Sequence, residues 1–311
     1  MPLIRIVCPP HRTDHISGVL EEVTYASDVT IVRQARRQPP GDLVQADVPR
    51  RSVDELLQMV ELAQDVAGIS VSVSPSESLL GADGTRLRPA DDEAVVWAQV
   101  VQDVHRNGRL SWVNVALIVI GSMIAAIGLV EDQLLLIVGA MAISPDYYLI
   151  ADTCLGFALR WWSRMRAGLV AIGACFGAGI VGAWALTEVL YRTGVVAQNT
   201  VPTSHSLTLF ISQPNATTVV VALLAGVAGS LSLTLPDARG LVGVFVSITT
   251  IPAAANIGVA FAAHDWSQMA GAAVQLVANL ASLLVASTVT LLIRARAGDL
   301  PAWRRIVRER D

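Results

Sequence analysis

The chain has 311 residues, of which 53% are apolar and only 15% charged, against about 25% charged in an ordinary soluble domain. A formal net charge of −4 argues against a nucleic-acid binder, and three cysteines with no Cys-x-x-Cys pair leave no disulfide framework or thiolate zinc site. Every cation is an arginine, which we read as genomic base-composition bias. The mean hydropathy is +0.54, most acids precede residue 110, and the long apolar runs follow it, so the chain divides into two regions suited to different solvents.

The N-terminal sequence MPLIRIVCPPHRTDH lacks the apolar core of a signal peptide, so the first region is expected to stay in the cytoplasm. Residues 1–88 read as βαββαβ, the ferredoxin-like order. Residues 3–7 form an apolar strand that ends at Pro9-Pro10. Thr13 or Asp14 is placed to cap a helix reaching about Tyr25, with Ile16, Val19, Leu20 and Val23 on one face. Residues 28–35 alternate as a half-buried strand through Val29 and Ile31. Pro39-Pro40-Gly41-Asp42 reads as a turn, and residues 42–48 as a third strand. Ser52 and Glu55 have the spacing of a capping box ahead of a helix carrying Leu56, Leu57 and Val60. That helix stops at Gly68, and residues 69–73 alternate as the fourth strand. No phosphate loop or acid–base constellation occurs here, which suits docking, dimerisation or ligand sensing. Residues 89–110 read as a connecting helix with Pro89 at its start, acids in its first turn and Val95, Val96, Val100, Val101 and Val104 on its apolar side.

Six apolar stretches follow, at 113–130, 134–159, 167–190, 216–235, 241–263 and 270–293. Each is long enough to cross a hydrocarbon core of about 30 Å. Trp112, Trp161, Trp162, Trp266 and Trp303 stand at their ends, the place of an interfacial aromatic belt. Arginines gather before the first stretch, between the second and third, and after the sixth, where residues 294–311 form a basic tail. With positive charge inside, both termini are cytoplasmic and the number of spans is even.

The second and fifth stretches each carry a proline at mid-span, in Ser144-Pro145-Asp146 and in Thr249-Thr250-Ile251-Pro252. Each is followed by a similar tetrad, Trp162-Ser163-Arg164-Met165 and Trp266-Ser267-Gln268-Met269, and preceded by an acidic turn. Two units of three spans predict an inverted repeat, since an odd number of spans sends the second unit in from the opposite side.

A proline inside a helix removes a backbone hydrogen bond, and in lipid the freed carbonyls need partners or a wet cavity. Ser144-Pro145-Asp146 has the pattern cap, proline, acid that starts a new half-helix. Asp146 and Asp152 are acids in an apolar span, where a carboxylate needs a cavity or a partner. For Asp152 the plain alternative is a pairing with arginine near the cytoplasmic end. Asn256 lies one turn beyond Pro252, and Gln275 and Asn279 share one face of the sixth span, where amides also serve to bind helices together. Gly173, Gly177, Gly226 and Gly229 read as packing faces. No nucleophile–base pair and no metal cluster appears, so neither an enzyme nor a cofactor is expected.

Ser111-Trp112, Gly128-Leu129, the run Gly139-Ala140-Met141-Ala142-Ile143-Ser144-Pro145, Pro214-Asn215, the stretch 225–230 and Ile251-Pro252 together resemble the bacterial hydrophobic proteins of domain-of-unknown-function family 389. The resemblance spans about 111–293. Where that family follows its first proline with a Gly-Pro pair, this chain has Asp146-Tyr147-Tyr148-Leu149, and Ala253 stands where a second proline is common. The resemblance implies a membrane architecture and no particular substrate.

The expected fold is thus a polytopic α-helical membrane protein of about six spans, a 3+3 inverted repeat with broken helices two and five, behind a ferredoxin-like cytoplasmic domain. The expected function is a secondary transporter or channel for a small solute or ion, in the inner membrane and homo-oligomeric. Its expected midplane site comprises Ser144, Pro145, Asp146, Asp152, Thr249, Thr250, Pro252, Asn256, Gln275 and Asn279. The alternative is a membrane-anchored sensor or scaffold that acts through its N-terminal domain.

Overall fold

A computed structural model describes residues 2–22, 26–38, 40–62, 68–74, 97–196, 216–233 and 250–297. The described residues form two compact units that meet within the expected connector, one ending at Val100 and the other running from Val101 to Ala297.

In the first unit, β1 (Leu3–Cys8), α1 (Thr13–Glu22), β2 (Ser27–Arg37), β3 (Pro40–Asp47), α2 (Arg50–Leu62) and β4 (Ser70–Ser74) follow in the expected order. The sheet runs β2-β3-β1-β4 and every pairing is antiparallel. This is the strand order of the ferredoxin-like arrangement. One face is apolar because alternation puts Ile4, Ile6 and Cys8 of β1 on the same side as Val44 and Ala46 of β3. Ile16 and Leu20 of α1, with Val53, Leu56 and Val60 of α2, close over that face, as helical spacing predicts.

Four local expectations are corrected. Thr13 does not cap α1: it lies inside a chain already turned by the 3-10 segment Pro10–Arg12, and its hydroxyl donates to Asp42 Oδ2 at 2.7 Å. Ser52 does not cap α2, which already begins at Arg50, so Ser52 sits buried in the first turn and its N–H bonds Pro49 O. Strand β2 does not alternate cleanly: Ile31 and Val32 are both exposed, because β2 is an edge strand whose pairing with β3 shifts twice. Asp28 and Gln34 take positive φ beside those shifts, and the Gln34 N–H is held by Asp42 Oδ1 at 2.8 Å. This N–H, then the Thr13 hydroxyl, holds the Asp42 carboxyl below the usual carboxylate range. Pro40 opens β3 rather than standing in a turn, and Pro39 lies outside the described residues.

The second unit is helical: α3 (Trp97–Asn107), α4 (Trp112–Val130), α5 (Leu134–Ile143), α6 (Asp146–Leu159), α7 (Trp162–Arg192), α8 (Ala216–Leu233), α9 (Ile251–Ala262) and α10 (Trp266–Ala297). Helix α3 begins in the first unit and ends in the second. Pro89 and Val95 of the expected connector lie outside the described residues, as do residues 197–215 and the tail beyond Ala297. Ser111 starts α4 by accepting the Asn114 N–H at 3.1 Å, and Asn114 Nδ2 in turn donates to the carbonyls of Asn107 and Arg109.

Helices α4, α7, α8 and α10 are long and apolar enough to cross a membrane, and α5 and α6 are apolar enough together, bent by 52° at the break between them. The chain is a multi-pass membrane protein with, among the described residues, four such spans, or five if the bent pair is one span. The expected fifth stretch is described only from Thr250 onward, as the short apolar helix α9. Trp112, Trp162 and Trp266 are exposed at span starts, as an aromatic belt requires. Trp161 is instead buried, with the Arg164 guanidinium 5.1 Å from its ring centroid.

Helix α4 packs against α5, α7 and α9, α6 against α7 and α10, α8 against α10, and α9 against α7 and α10. A close backbone crossing is at Gly258 of α9, where a Cβ would stand 2.7 Å from Ile180 O and 2.7 Å from the Trp184 nitrogen of α7. Gly226 of α8 meets α10 in the same way, with Leu283 O at 3.0 Å from its Cβ site. Gly173 and Gly177 were expected at such a crossing, but among the described residues nothing lies within 4 Å of their Cβ sites. Gly258→Ala is therefore expected to lower the thermal midpoint of the detergent-solubilised protein, at a cost of about 1–3 kcal/mol from forcing two backbones apart. Gly173→Ala, in open space, should leave it unchanged or slightly raised. Equal midpoints for the two variants would refute the close approach.

Candidate functional site

The first break lies where the sequence places it. Helix α5 stops at Ile143, Ser144 and Pro145 leave helical geometry, and Asp146 is the first residue of α6. Ser144 is not the cap of α6, however. Pro145 holds that position, and the Ser144 hydroxyl turns back to donate to Ala140 O at 3.2 Å. It thereby satisfies one of the carbonyls left over at the end of α5. Pro145 donates nothing, so its place at the break wastes no N–H.

Asp146 is fully buried, in the first turn of α6, where the partial positive charge of a helix start favours a carboxylate. Its Oδ2 accepts the Thr250 hydroxyl at 2.5 Å. Thr250 is itself fully buried and stands at the start of α9, with Pro252 in the first turn, where a missing N–H costs no hydrogen bond. Thus the start of α6 and the start of α9 are joined side chain to side chain. Thr249, expected beside Thr250, lies outside the described residues.

Asp152 is elsewhere. Two turns along α6, it accepts from Arg164 of α7, with Nε at 2.8 Å and a second, closer contact from Nη2. The His105 ring of α3 approaches it to 3.5 Å. The plain reading of Asp152, a carboxylate paired with arginine, is the one its geometry supports. Asn256 lies two turns along α9, and its Oδ1 accepts from Gln268 Nε2 of α10 at 2.8 Å. Gln275 and Asn279 are buried on one face of α10, the helix that packs on α6, α8 and α9.

These contacts share a register. Asp146 and Thr250, joined by one hydrogen bond, are 104 residues apart. Asn256 and Gln268 stand that same interval beyond Asp152 and Arg164, and each pair is hydrogen-bonded. Arg160 and His264, one interval apart, both take φ 59° at the corner before the next helix. Cys154 Sγ of α6 reaches Leu284 O of α10 at 3.7 Å, and Gly258 of α9 meets Ile180 O of α7 in the corresponding place. This interval is that of the tetrads Trp162–Met165 and Trp266–Met269. It is not the interval between the prolines: Pro145 corresponds to Thr249, and Pro252 to Tyr148.

Sequence reasoning missed Tyr147, Arg164, His105 and Gln268. The Tyr147 hydroxyl donates to the Gly229 carbonyl and lies 3.2 Å from Ser232 Oγ, tying α6 to α8. Gly229 thus serves through its carbonyl. Arg164 and Gln268 were legible in principle, as the single differing position of the two tetrads lined up with Asp152 and Asn256. His105 carried no such signal.

Replacing Asp152 alone leaves Arg164, which is 11% exposed, without its carboxylate. Asp152→Ala is expected to destabilise the protein by about 3–5 kcal/mol, read as a fall in thermal midpoint. The double change Asp152→Asn with Arg164→Gln, which copies Asn256 and Gln268, should recover most of that loss. A double variant as unstable as the single one would show that the two pairs are not equivalent.

Comparisons with curated proteins and with solved structures return no match. Residues 141–285 match the family described as Domain of unknown function (DUF389). The matched stretch begins two residues before α5 ends and closes within α10, so it holds both half-helix starts, both polar pairs and the tetrads. The break residues and the tetrads all lie inside that match, which supports membership in the DUF389 family.

Proposed function

We propose that this protein is a secondary transporter or channel for a small solute or ion, with its site where the starts of α6 and α9 meet. One observation carries the reading: a buried carboxylate, Asp146, is bonded across to Thr250 at the start of the second half-helix. A carboxylate at that depth is costly and is normally retained for use. Half-helix starts that converge at mid-span are the usual way a transporter builds an ion site from backbone N–H groups and a few side chains.

We further propose six spans arranged as a 3+3 inverted repeat, with both termini cytoplasmic in an inner membrane. The constant interval of 104 residues between equivalent contacts supports this. So does the packing: α6 lies on α7 and α10, and α9 on α10 and α7, as two halves exchanged by a twofold axis require. A hydrogen bond between equivalent residues, as Asp146 and Thr250 are, lies on such an axis. The contact of His105 with Asp152 sets the start of the membrane region and the α6–α7 corner on one side, in keeping with the arginines there. Homo-oligomerisation completes the proposal, and no catalytic step belongs to it.

Two measurements test it. Reporters fused at the N-terminus, residue 163, residue 238 and the C-terminus should read cytoplasmic, and one at residue 200 external. A cytoplasmic signal at residue 200 removes the inverted repeat. In vesicles loaded with ion and solute gradients, Asp146→Asn should fold and assemble as the wild type does, yet lose transport or its dependence on pH. Normal transport by Asp146→Asn over a wide pH range would reduce Asp146 to a helix cap and defeat the coupling role.

A further inference from the structure

We propose that His105 is a proton-sensing site on the side from which α4 enters the membrane, and that its protonation loosens the ionic clamp fastening α6 to α7. The inference rests on the transport reading only for what the clamp controls, namely access to Asp146 and Thr250.

The geometry fixes the state of the ring. Arg109 approaches His105 Nε2 through Nη2 at 2.6 Å and Nε at 3.1 Å. A guanidinium only donates, so Nε2 must accept and carries no proton. The other ring nitrogen, Nδ1, is 3.5 Å from Asp152 Oδ1, which also holds Arg164. The charged groups facing the ring are therefore Arg109 from the link to α4, Asp152 from α6 and Arg164 from α7. One guanidinium, Arg164, already holds the carboxylate, and a second, Arg109, lies against the ring. A proton on Nε2 would bring a third cation and set N–H against N–H at Arg109.

Burial, and then the Arg164 charge, hold the His105 ring below the usual imidazole range, while Asp152 acts the other way. A ring that titrates lower in the clamped arrangement than when released stabilises the clamp by being neutral. That stabilisation is present above the released value of about 6.5 and is lost as pH falls below it. Acid on this side should therefore release α6. The equivalent fastening of α9 to α10, Asn256 with Gln268, contains no titratable group. The two halves thus answer differently to protons.

Cys154 reports on the clamp. It is fully buried on α6, two residues from Asp152, with its thiol against Leu284 O of α10. In the full chain carrying Cys8→Ala and Cys175→Ala, reconstituted in vesicles, a permeant maleimide should label Cys154 only when α6 moves. The comparison is with the same protein carrying His105→Gln, whose side-chain carbonyl still accepts from Arg109 but cannot be protonated. The ratio of the two labelling rates cancels the pH dependence of thiol chemistry. It should be near one at pH 8 and rise to about tenfold at pH 5.5. A ratio unchanged between those pH values overturns the proposal. Asp152→Ala with Arg164→Ala, which removes the fastening altogether, should label fast already at pH 8, and labelling as slow as in the wild type would also overturn it. No substrate is needed, so failure here leaves the transport reading standing, and a protein that moves nothing leaves the clamp to be judged by labelling alone.

Discussion

An interrupted backbone in an apolar span has to be answered from within the protein, because lipid offers no hydrogen bonds. The interruption at Ser144-Pro145 sets the terms for what surrounds it. The carbonyl side is met by the Ser144 hydroxyl on Ala140 O, and the N–H side is eased because Pro145 has no N–H. The start of α6 then favours a negative charge, and Asp146 supplies it at full burial. The carboxylate in turn needs donors, and Thr250 at the start of α9 is one of them. A break in one span is therefore stabilised by a residue from another, and the two half-helices are committed to each other's geometry.

That commitment explains the close crossings around the breaks. Helices whose ends must meet at one point cannot stand apart elsewhere. Gly258 lets α9 touch the backbone of α7, and Gly226 lets α8 touch that of α10. Tyr147, next to the carboxylate, reaches the Gly229 carbonyl of α8, so the turn that carries Asp146 is anchored on two neighbours. Between apolar helices in lipid, such packing and hydrogen bonds supply the association that hydrophobicity supplies in water.

The two polar pairs show one geometry with two kinds of energetics. Asp152 with Arg164 is charged, lies where α3 also arrives, and gains Coulomb energy that partly offsets the desolvation of two ions. Asn256 with Gln268 makes the corresponding bond between neutral groups, with little desolvation and no response to pH or salt. Two polar pairs at the same spacing, one charged and one neutral, respond to different signals.

The sequence by itself determined whatever depends on local pattern. Alternation and helical spacing gave the βαββαβ order and the buried faces of α1 and α2, because period-two and period-3.6 burial are properties of single segments. Apolar length gave the four long spans, and Pro145 with Asp146 gave the break, since proline removes a helical hydrogen bond and clashes with the preceding turn. Caps at Thr13, Ser144 and Ser52 were misread because hydroxyls have several partners within reach, and only the fold chooses among Asp42, a backward carbonyl and burial. The bulges of β2 were hidden for the same reason: they answer to the register of β3. Tertiary structure alone decided that Asp146 meets Thr250, that Asp152 is taken by Arg164 and His105, and that Asn256 is taken by Gln268. Those are contacts across distant segments, and a side chain's partner there is fixed by where two helices cross, which no single stretch of sequence encodes.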